Sequence, residues 1–263
     1  MKYGFIGCGN MAGAIARALA QSTRDFLVTD RSGKAKTLAG ELGCAYGTNA
    51  EAANCDRVFL GVKPQYMEEV LRPLQPILAR KKPVLISMAA GLEIATIEKY
   101  TGTQLPVIRI MPNTPVAVGK GVILYCRNAL VTDAVLAEFL ADLAPAGLLD
   151  PLPEGMIDAG CSVAGCGPAF AYLFLEALAD GAVACGLPRE KALQYAAGML
   201  VGAGEMVLAT GTHPGVLKDA VCSPGGSTIA GVKVLEEQGF RGAVMDCVAA
   251  SFRRNRELAT GES

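Results

Sequence analysis

The stretch Tyr3-Gly4-Phe5-Ile6-Gly7-Cys8-Gly9-Asn10-Met11-Ala12 decides how the rest of this chain is read. A short apolar run ends at a pair of spaced glycines, and helical spacing from Met11 to Gln21 follows at once. Strand, turn and helix around G-x-G-x-x-A are the context that the dinucleotide-binding fingerprint requires. In that reading Gly7 makes the tight turn and Gly9 lets the backbone approach a pyrophosphate. Ala12 lets helix and strand pack closely, and the helix amino terminus, with Asn10 and Met11, faces the anion.

Working outward, apolar runs rich in β-branched residues recur at Lys2 to Ile6, Phe26 to Thr29, Arg57 to Val62, Val84 to Ser87, Val107 to Ile110 and Val122 to Tyr125. Helical patterns such as Gln65 to Leu78 lie between them, and this alternation predicts βαβ units on a parallel sheet covered on both faces. After Asp150-Pro151-Leu152-Pro153 the texture changes to Ala-, Leu- and Gly-rich helices from about Glu154 to Leu258. The expected architecture is α/β: a parallel-sheet dinucleotide-binding domain over 1–152 and an all-α domain over 153–263. Small residues from Gly198 to Gly204 predict close helix packing, between subunits as well as within one.

Composition narrows the function. Lys+Arg at 24 against Asp+Glu at 25 leaves a net charge of -1, without the basic excess that nucleic-acid or anionic-membrane binding demands. Nine cysteines, scattered and without a C-x-x-C pair, read as reduced thiols of a cytoplasmic protein, not as a disulfide frame or metal site. A single histidine, His213, leaves few constructions for a zinc centre or a Ser-His triad. No export signal is expected after Met1-Lys2. The most apolar stretch, Ala169 to Leu187, carries Glu176 and Asp180 and is read as a buried helix of a soluble protein.

The second strand ends at Asp30, near the interval of about 20 residues expected for a ribose-binding acid, which favours NAD. Arg31, Ser32 and Lys34 follow, and a guanidinium, hydroxyl and ammonium there suit a 2′-phosphate. The signals oppose one another; NADPH is taken as the favoured cofactor and NADH as the alternative. Val62-Lys63-Pro64 and Ala89-Ala90-Gly91 follow later strands, where loops at the carboxyl edge of a sheet face a cofactor.

The segment Cys222-Ser223-Pro224-Gly225-Gly226-Ser227-Thr228 precedes a helical pattern from Ile229 to Glu237 and reads as an anion cradle. Glycines at a helix start expose free N–H groups, so a substrate carboxylate needs no arginine. His213-Pro214-Gly215 reads as a connection between helices, Cys222 as an inert packed thiol, and Tyr172 and Phe174 as core or interface residues.

This segment resembles the signature of the pyrroline-5-carboxylate reductase family. The resemblance extends through Phe5 to Met11, Val62-Lys63-Pro64, Ser87-Met88-Ala89-Ala90-Gly91, Met111-Pro112-Asn113-Thr114-Pro115, Gly165 to Phe170 and His213-Pro214-Gly215, in one order along nearly the full chain. It implies a Rossmann domain followed by a helical dimerisation domain. It also implies a homodimer with the active site at the dimer interface, and larger rings such as a decamer. The implied reaction is hydride transfer to the C=N bond of a cyclic imino acid, giving L-proline. By the same resemblance the Thr228 hydroxyl bonds the imine nitrogen, and the turn Ser223, Gly225, Gly226 and Ser227 receives the carboxylate. Ser32 contacts phosphate, Asn49 contacts the cofactor, and the loop from Met111 through Asn113 lines the nicotinamide. Three residues depart from the family's usual pattern: Cys166 replaces a common serine, Ser227 stands where threonine or alanine is frequent, and Asp30 sits close to a 2′-phosphate.

Overall fold

The computed structural model describes residues 1–260. Eight strands form one sheet: β1 Tyr3–Ile6, β2 Phe26–Thr29, β3 Ala45–Tyr46, β4 Arg57–Leu60, β5 Val84–Ser87, β6 Val107–Met111, β7 Gly121–Arg127 and β8 Gly147–Pro151. The spatial order is β3-β2-β1-β4-β5-β6-β7-β8. Neighbours are parallel except β6 and β7, which pair antiparallel through Ile110↔Tyr125 and its neighbours. The chain runs outward from β1 to β3, then returns to place β4 on the other side of β1. A crevice at such a switch point is where open α/β sheets bind ligands.

The helices beside the sheet are α1 Asn10–Leu19, α2 Lys34–Leu42, α3 Asn49–Ala53, α4 Met67–Leu71, α5 Gln75–Lys81, α6 Ile94–Thr101, α7 Asp133–Leu143 and α8 Ile157–Ala164. Every residue of β1, β2, β4, β5 and β6 is buried, as near-continuous apolar runs predict for strands covered on both faces. Helix α1 places Ala12, Ile15, Ala16 and Leu19 on its buried face at i, i+3, i+4 and i+7. Under it Phe5 stacks on Phe59 at 4.4 Å between centroids and meets Phe26 edge-on at 5.8 Å. Helix α3 crosses β1 so closely that a Cβ on Gly4 would lie 2.3 Å from the Ala52 carbonyl oxygen.

The expected helix from Gln65 to Leu78 is broken: a 3-10 turn at Pro64–Tyr66 precedes α4, and another at Arg72–Leu74 separates α4 from α5. Pro73 and Pro76 lack the N–H that a continuous helix needs. Two strands escaped the sequence reading: β3 has only two residues, and β8 ends in Pro151 with a half-exposed pattern.

The remaining helices are α9 Gly167–Ala184, α10 Arg189–Thr210, α11 Pro214–Val221, α12 Ser227–Glu237 and α13 Phe240–Thr260. The chain divides into two compact units, one comprising residues 1–166 and 251–260, the other Gly167–Ala250. The division at 166/167 differs from the expected one at 152/153. The reason is packing: Ile157 and Cys161 of α8 share a cluster with Met111 and Leu124, and Gly160 lies where a Cβ would be 2.4 Å from Leu124 Cδ1. Arg109 of β6, 2 % exposed, reaches Glu154 at 3.2 Å and Asp158 at 3.4 Å. The expectation that Ala169 to Leu187 is a buried helix is not met within this chain, since Ala179 is the one buried residue of α9. The stretch Glu154–Ala184 and helix α10 are long and apolar enough to cross a bilayer, by length and composition alone.

Candidate active site

The turn between β1 and α1 is built from close approaches. Gly7 has φ +83°, and a Cβ there would lie 2.9 Å from Val62 Cγ2. The Gly7 and Cys8 amides both donate to the Thr29 carbonyl, at 3.1 and 2.9 Å. On the neighbouring strand end, a Cβ on Gly61 would fall 2.4 Å from the Gly7 oxygen and 2.7 Å from Ala12 Cβ. Helix α1 therefore seats on the sheet only because positions 12 and 61 are small. Gly9 differs: a Cβ there meets nothing within 4 Å. Its side faces open space at the start of α1, whose cap carries no side-chain hydrogen bond and whose first turn holds no acid. Free N–H groups and the positive end of the helix dipole thus point into a gap that the chain itself leaves unfilled, which fits a pyrophosphate. Burial pushes the Cys8 thiol up to about 12, assisted by the Asp30 carboxylate, so it places no thiolate beside that anion.

A cleft of about 890 Å³ opens from this turn along the carboxyl edge of the sheet. Of the residues expected from sequence, Gly7, Gly9, Arg31, Ser32, Asn49 and Val62 line it. Tyr46, Thr48, Tyr66, Glu69 and Val70 line it as well and carried no motif that would have marked them. Asn49 opens α3, whose start is fixed by a capping box: the Thr48 hydroxyl accepts from the Glu51 amide, and Glu51 accepts from the Thr48 amide at 2.8 Å. Asn10 faces a smaller hollow of about 320 Å³ with Cys8 and Arg17.

The other expected cofactor residues lie apart from that cleft. Met11 is half-buried against the core, Lys63 caps the Pro64–Tyr66 turn, and Ala89 is buried while Ala90 is exposed. Met111 is buried at the end of β6. The Asn113 side chain, 6 % exposed, donates to the Ala164 carbonyl at 2.9 Å and accepts from the Val122 amide at 2.9 Å. Both ends of its amide are engaged by the fold, which leaves the main chain of this loop to face a cofactor.

Asp30 is engaged by its own loop. Oδ2 accepts from Ser32 Oγ at 2.8 Å and from the Ala35 amide at 3.1 Å, and Oδ1 accepts from the Gly33 amide at 2.8 Å. The acid that the sequence offers to a ribose thus also holds its own loop together, and it lines the cleft.

In the second unit, α11 and α12 flank the expected anion cradle. Gly225 has φ +69°, and the Gly226 amide closes the turn onto the Ser223 carbonyl at 3.0 Å. A Cβ on Gly226 would lie 2.3 Å from Ser223 Oγ, so a larger residue there would turn that hydroxyl away. Gly226 caps α12 without a side-chain hydrogen bond, and no acid sits in the first turn. Ser223, Ser227 and Thr228 are exposed around these N–H groups. The two uncapped glycine starts, Gly9 and Gly226, have nearly the same backbone, with φ −74° and −76°. His213 has a structural duty: its Nδ1 accepts from the Gly215 amide at 3.1 Å and caps α11.

Two families match. The one described as NADP oxidoreductase, coenzyme F420-dependent, spans residues 2–91, and pyrroline-5-carboxylate reductase dimerisation spans 154–258. The pyrroline-5-carboxylate reductase of Escherichia coli K12 is 38% identical over 265 residues, 98% of each chain. This chain belongs to the pyrroline-5-carboxylate reductase family. The solved enzyme from Streptococcus pyogenes shares its structure with a TM-score of 0.88 at 32% identity, over 98% of both chains. The Plasmodium falciparum pyrroline carboxylate reductase, solved with NADP bound, matches with a TM-score of 0.87 at 30% identity, again over 98% of each. The dimerisation match begins at 154, so α8 goes with the dimerisation family by sequence and with the sheet by packing. It assigns the exposed apolar helices of the second unit to self-association.

Proposed function

We propose that this chain reduces 1-pyrroline-5-carboxylate to L-proline, the last step of proline biosynthesis, with NADPH as favoured reductant and NADH as alternative. It is an NAD(P)-dependent oxidoreductase acting on a C=N bond. The observation that carries this reading is similarity over 98% of the chain to a reductase of this family, beside the uncapped glycine starts of α1 and α12.

A nicotinamide held in the cleft would supply hydride to the imine carbon. The chain's own residues position the reactants. The Gly7–Gly9 turn and the start of α1 hold the pyrophosphate, Arg31 and Ser32 meet the 2′-phosphate, and Asn49 and Val62 line the way to the pyrophosphate. Main-chain groups at Lys63, Pro64, Ala89, Ala90 and Met111 border the nicotinamide end. The Ser223–Ser227 turn takes the substrate carboxylate on its free amides, and the Thr228 hydroxyl holds the imine nitrogen. A threonine hydroxyl lacks useful acidity, so Thr228 aligns the substrate and does not serve as the proton source.

The active form is a homodimer with the site completed across the interface, assembling further into rings such as a decamer, in the cytoplasm and away from nucleic acid and membrane. Balanced charge supports this, as do Glu176 and Asp180 inside the most apolar helix, which are costly in a bilayer. The test is NADPH and NADH oxidation with the imine by the purified chain beside Thr228→Ala. A fall of about 10- to 100-fold in the variant is expected, the size of one hydrogen bond to a charged group. Absence of turnover with both cofactors would sink the assignment.

A further inference from the structure

Where α8 stops, two cysteines stand five residues apart, Cys161 inside the helix and Cys166 just beyond it. The Gly165 and Cys166 amides both converge on the Cys161 carbonyl, at 2.8 and 2.9 Å, so the chain tightens over residue 161 as the helix ends. A Cβ on Gly165 would lie 2.8 Å from Cys161 Sγ. The thiol is therefore directed at this last turn, into room that only a glycine leaves. Cys166 stands within hydrogen-bonding reach of it, and both are free thiols. Their surroundings differ. Cys161, 8 % exposed, is packed with Met111, Leu124 and Ile157, whereas Cys166 is half-buried and is the sulfur that solvent reaches.

Unequal exposure gives the two sulfurs different chemistry. Burial, and after it the neighbouring Cys166, push the Cys161 thiol up to about 11, so it is protonated at neutral pH and is not the first nucleophile. We propose that Cys161 and Cys166 form a redox modification site, in which Cys166 takes up oxygen from hydrogen peroxide and Cys161 resolves it into a reversible disulfide. In the first step the Cys166 thiolate attacks the peroxide. An S–O bond forms, the O–O bond breaks and the departing oxygen leaves as water after taking a proton, which gives a sulfenic acid. In the second step the Cys161 sulfur attacks the Cys166 sulfur. The S–S bond forms, the S–O bond breaks, and the hydroxyl leaves as water with the Cys161 proton. Two thiols are oxidised to one disulfide while one peroxide is reduced to two waters. The bridge keeps Cys166, the last residue of the first unit, out of the irreversible sulfinic and sulfonic states.

The test treats the reduced, full-length protein with hydrogen peroxide, alkylates it under denaturing conditions and cleaves it after glutamate. Cleavage after Glu154 and Glu176 releases residues 155–176 in one piece, with Cys161 and Cys166 as its cysteines. In the natural chain this peptide is expected to lose two hydrogens and to refuse alkylation at both sulfurs, and dithiothreitol is expected to reverse both changes. Cys166→Ser abolishes the loss and leaves Cys161 open to alkylation. Cys161→Ala leaves Cys166 without a resolving thiol, and fragmentation of the peptide finds it as sulfinic acid. The first readout uses the natural chain, so the proposal stands or falls even where a variant folds poorly. It is overturned if both thiols of the peptide survive a peroxide dose that oxidises the exposed Cys185. A bridge from either residue to another cysteine or to a second copy overturns it too, as does sulfinic acid at Cys166 formed as readily in the natural chain as in Cys161→Ala.

Discussion

The two units of the chain dispose of their apolar surface in opposite ways. In the first, Phe5, Phe26 and Phe59 are at most 1 % exposed, and the strands that carry them are buried throughout. In the second, Leu208 is 79% exposed and Val201 72%, while Ala179, Ala192 and Ala196 are its buried hydrophobic residues. Both segments read as apolar in sequence, and burial of a large apolar side chain contributes about 1.5–3 kcal/mol wherever it occurs. The contrast teaches that the sheet unit completes its core from its own chain and that the helical unit keeps its apolar faces for a second copy, as the dimerisation match requires.

Breaking that contrast has the largest expected effect. Leu208→Asp, combined with Val201→Asp seven residues earlier on α10, is expected to yield monomers by light scattering and to abolish turnover; an active monomer would refute the interface site. Within the first unit, Phe59→Ala removes the ring stacked on Phe5 and is expected to cost about 3–5 kcal/mol in denaturant unfolding. A smaller and more selective pair uses the glycines. Gly61→Ala forces a Cβ to within 2.4 Å of the Gly7 oxygen and should lower the melting temperature, whereas Gly9→Ala has free space and should keep it. Gly9→Ala is expected instead to weaken cofactor binding about tenfold or more, measured by fluorescence of bound NADPH.

The smallest effect is pH-dependent. Asp142 accepts from Tyr3 at 2.6 Å and pairs with Lys2 at 2.6 Å, tying β1 to α7. Burial acts to raise its carboxyl, but the bonds from Lys2 and Tyr3 outweigh it, leaving the pKa below the ordinary value. A depressed folded-state pKa gives stability that is present above the unfolded value and lost as pH falls through the folded one. Asp142→Asn should therefore lower stability at neutral pH by about 1 kcal/mol or less, and the difference should vanish in acid, as read from melting curves against pH.

Much of the fold was legible along the chain. Short runs of β-branched and aromatic residues located β1, β2 and β4 to β7, and the glycine spacing located the start of α1, because both signals are local. The two-residue β3, the proline-ended β8 and the fragmented α4–α5 region were not, since their pairing and breaks depend on neighbours and on where a missing N–H falls. The candidate site divides likewise. Gly7, Gly9 and the Ser223–Thr228 turn follow from motif and spacing, but Tyr46, Tyr66 and Glu69 enter the cleft only because distant loops converge on one edge of the sheet.

By itself, then, the sequence determined the sheet-and-helix order, the dinucleotide turn, the glycine start of α12 and the family, all properties of residues close together in the chain. Tertiary structure alone decided which groups were already spoken for. Asn113 is consumed by Ala164 and Val122, and α8 by β7. A polar atom's availability depends on partners brought near it by folding, and spacing along a chain carries no record of them.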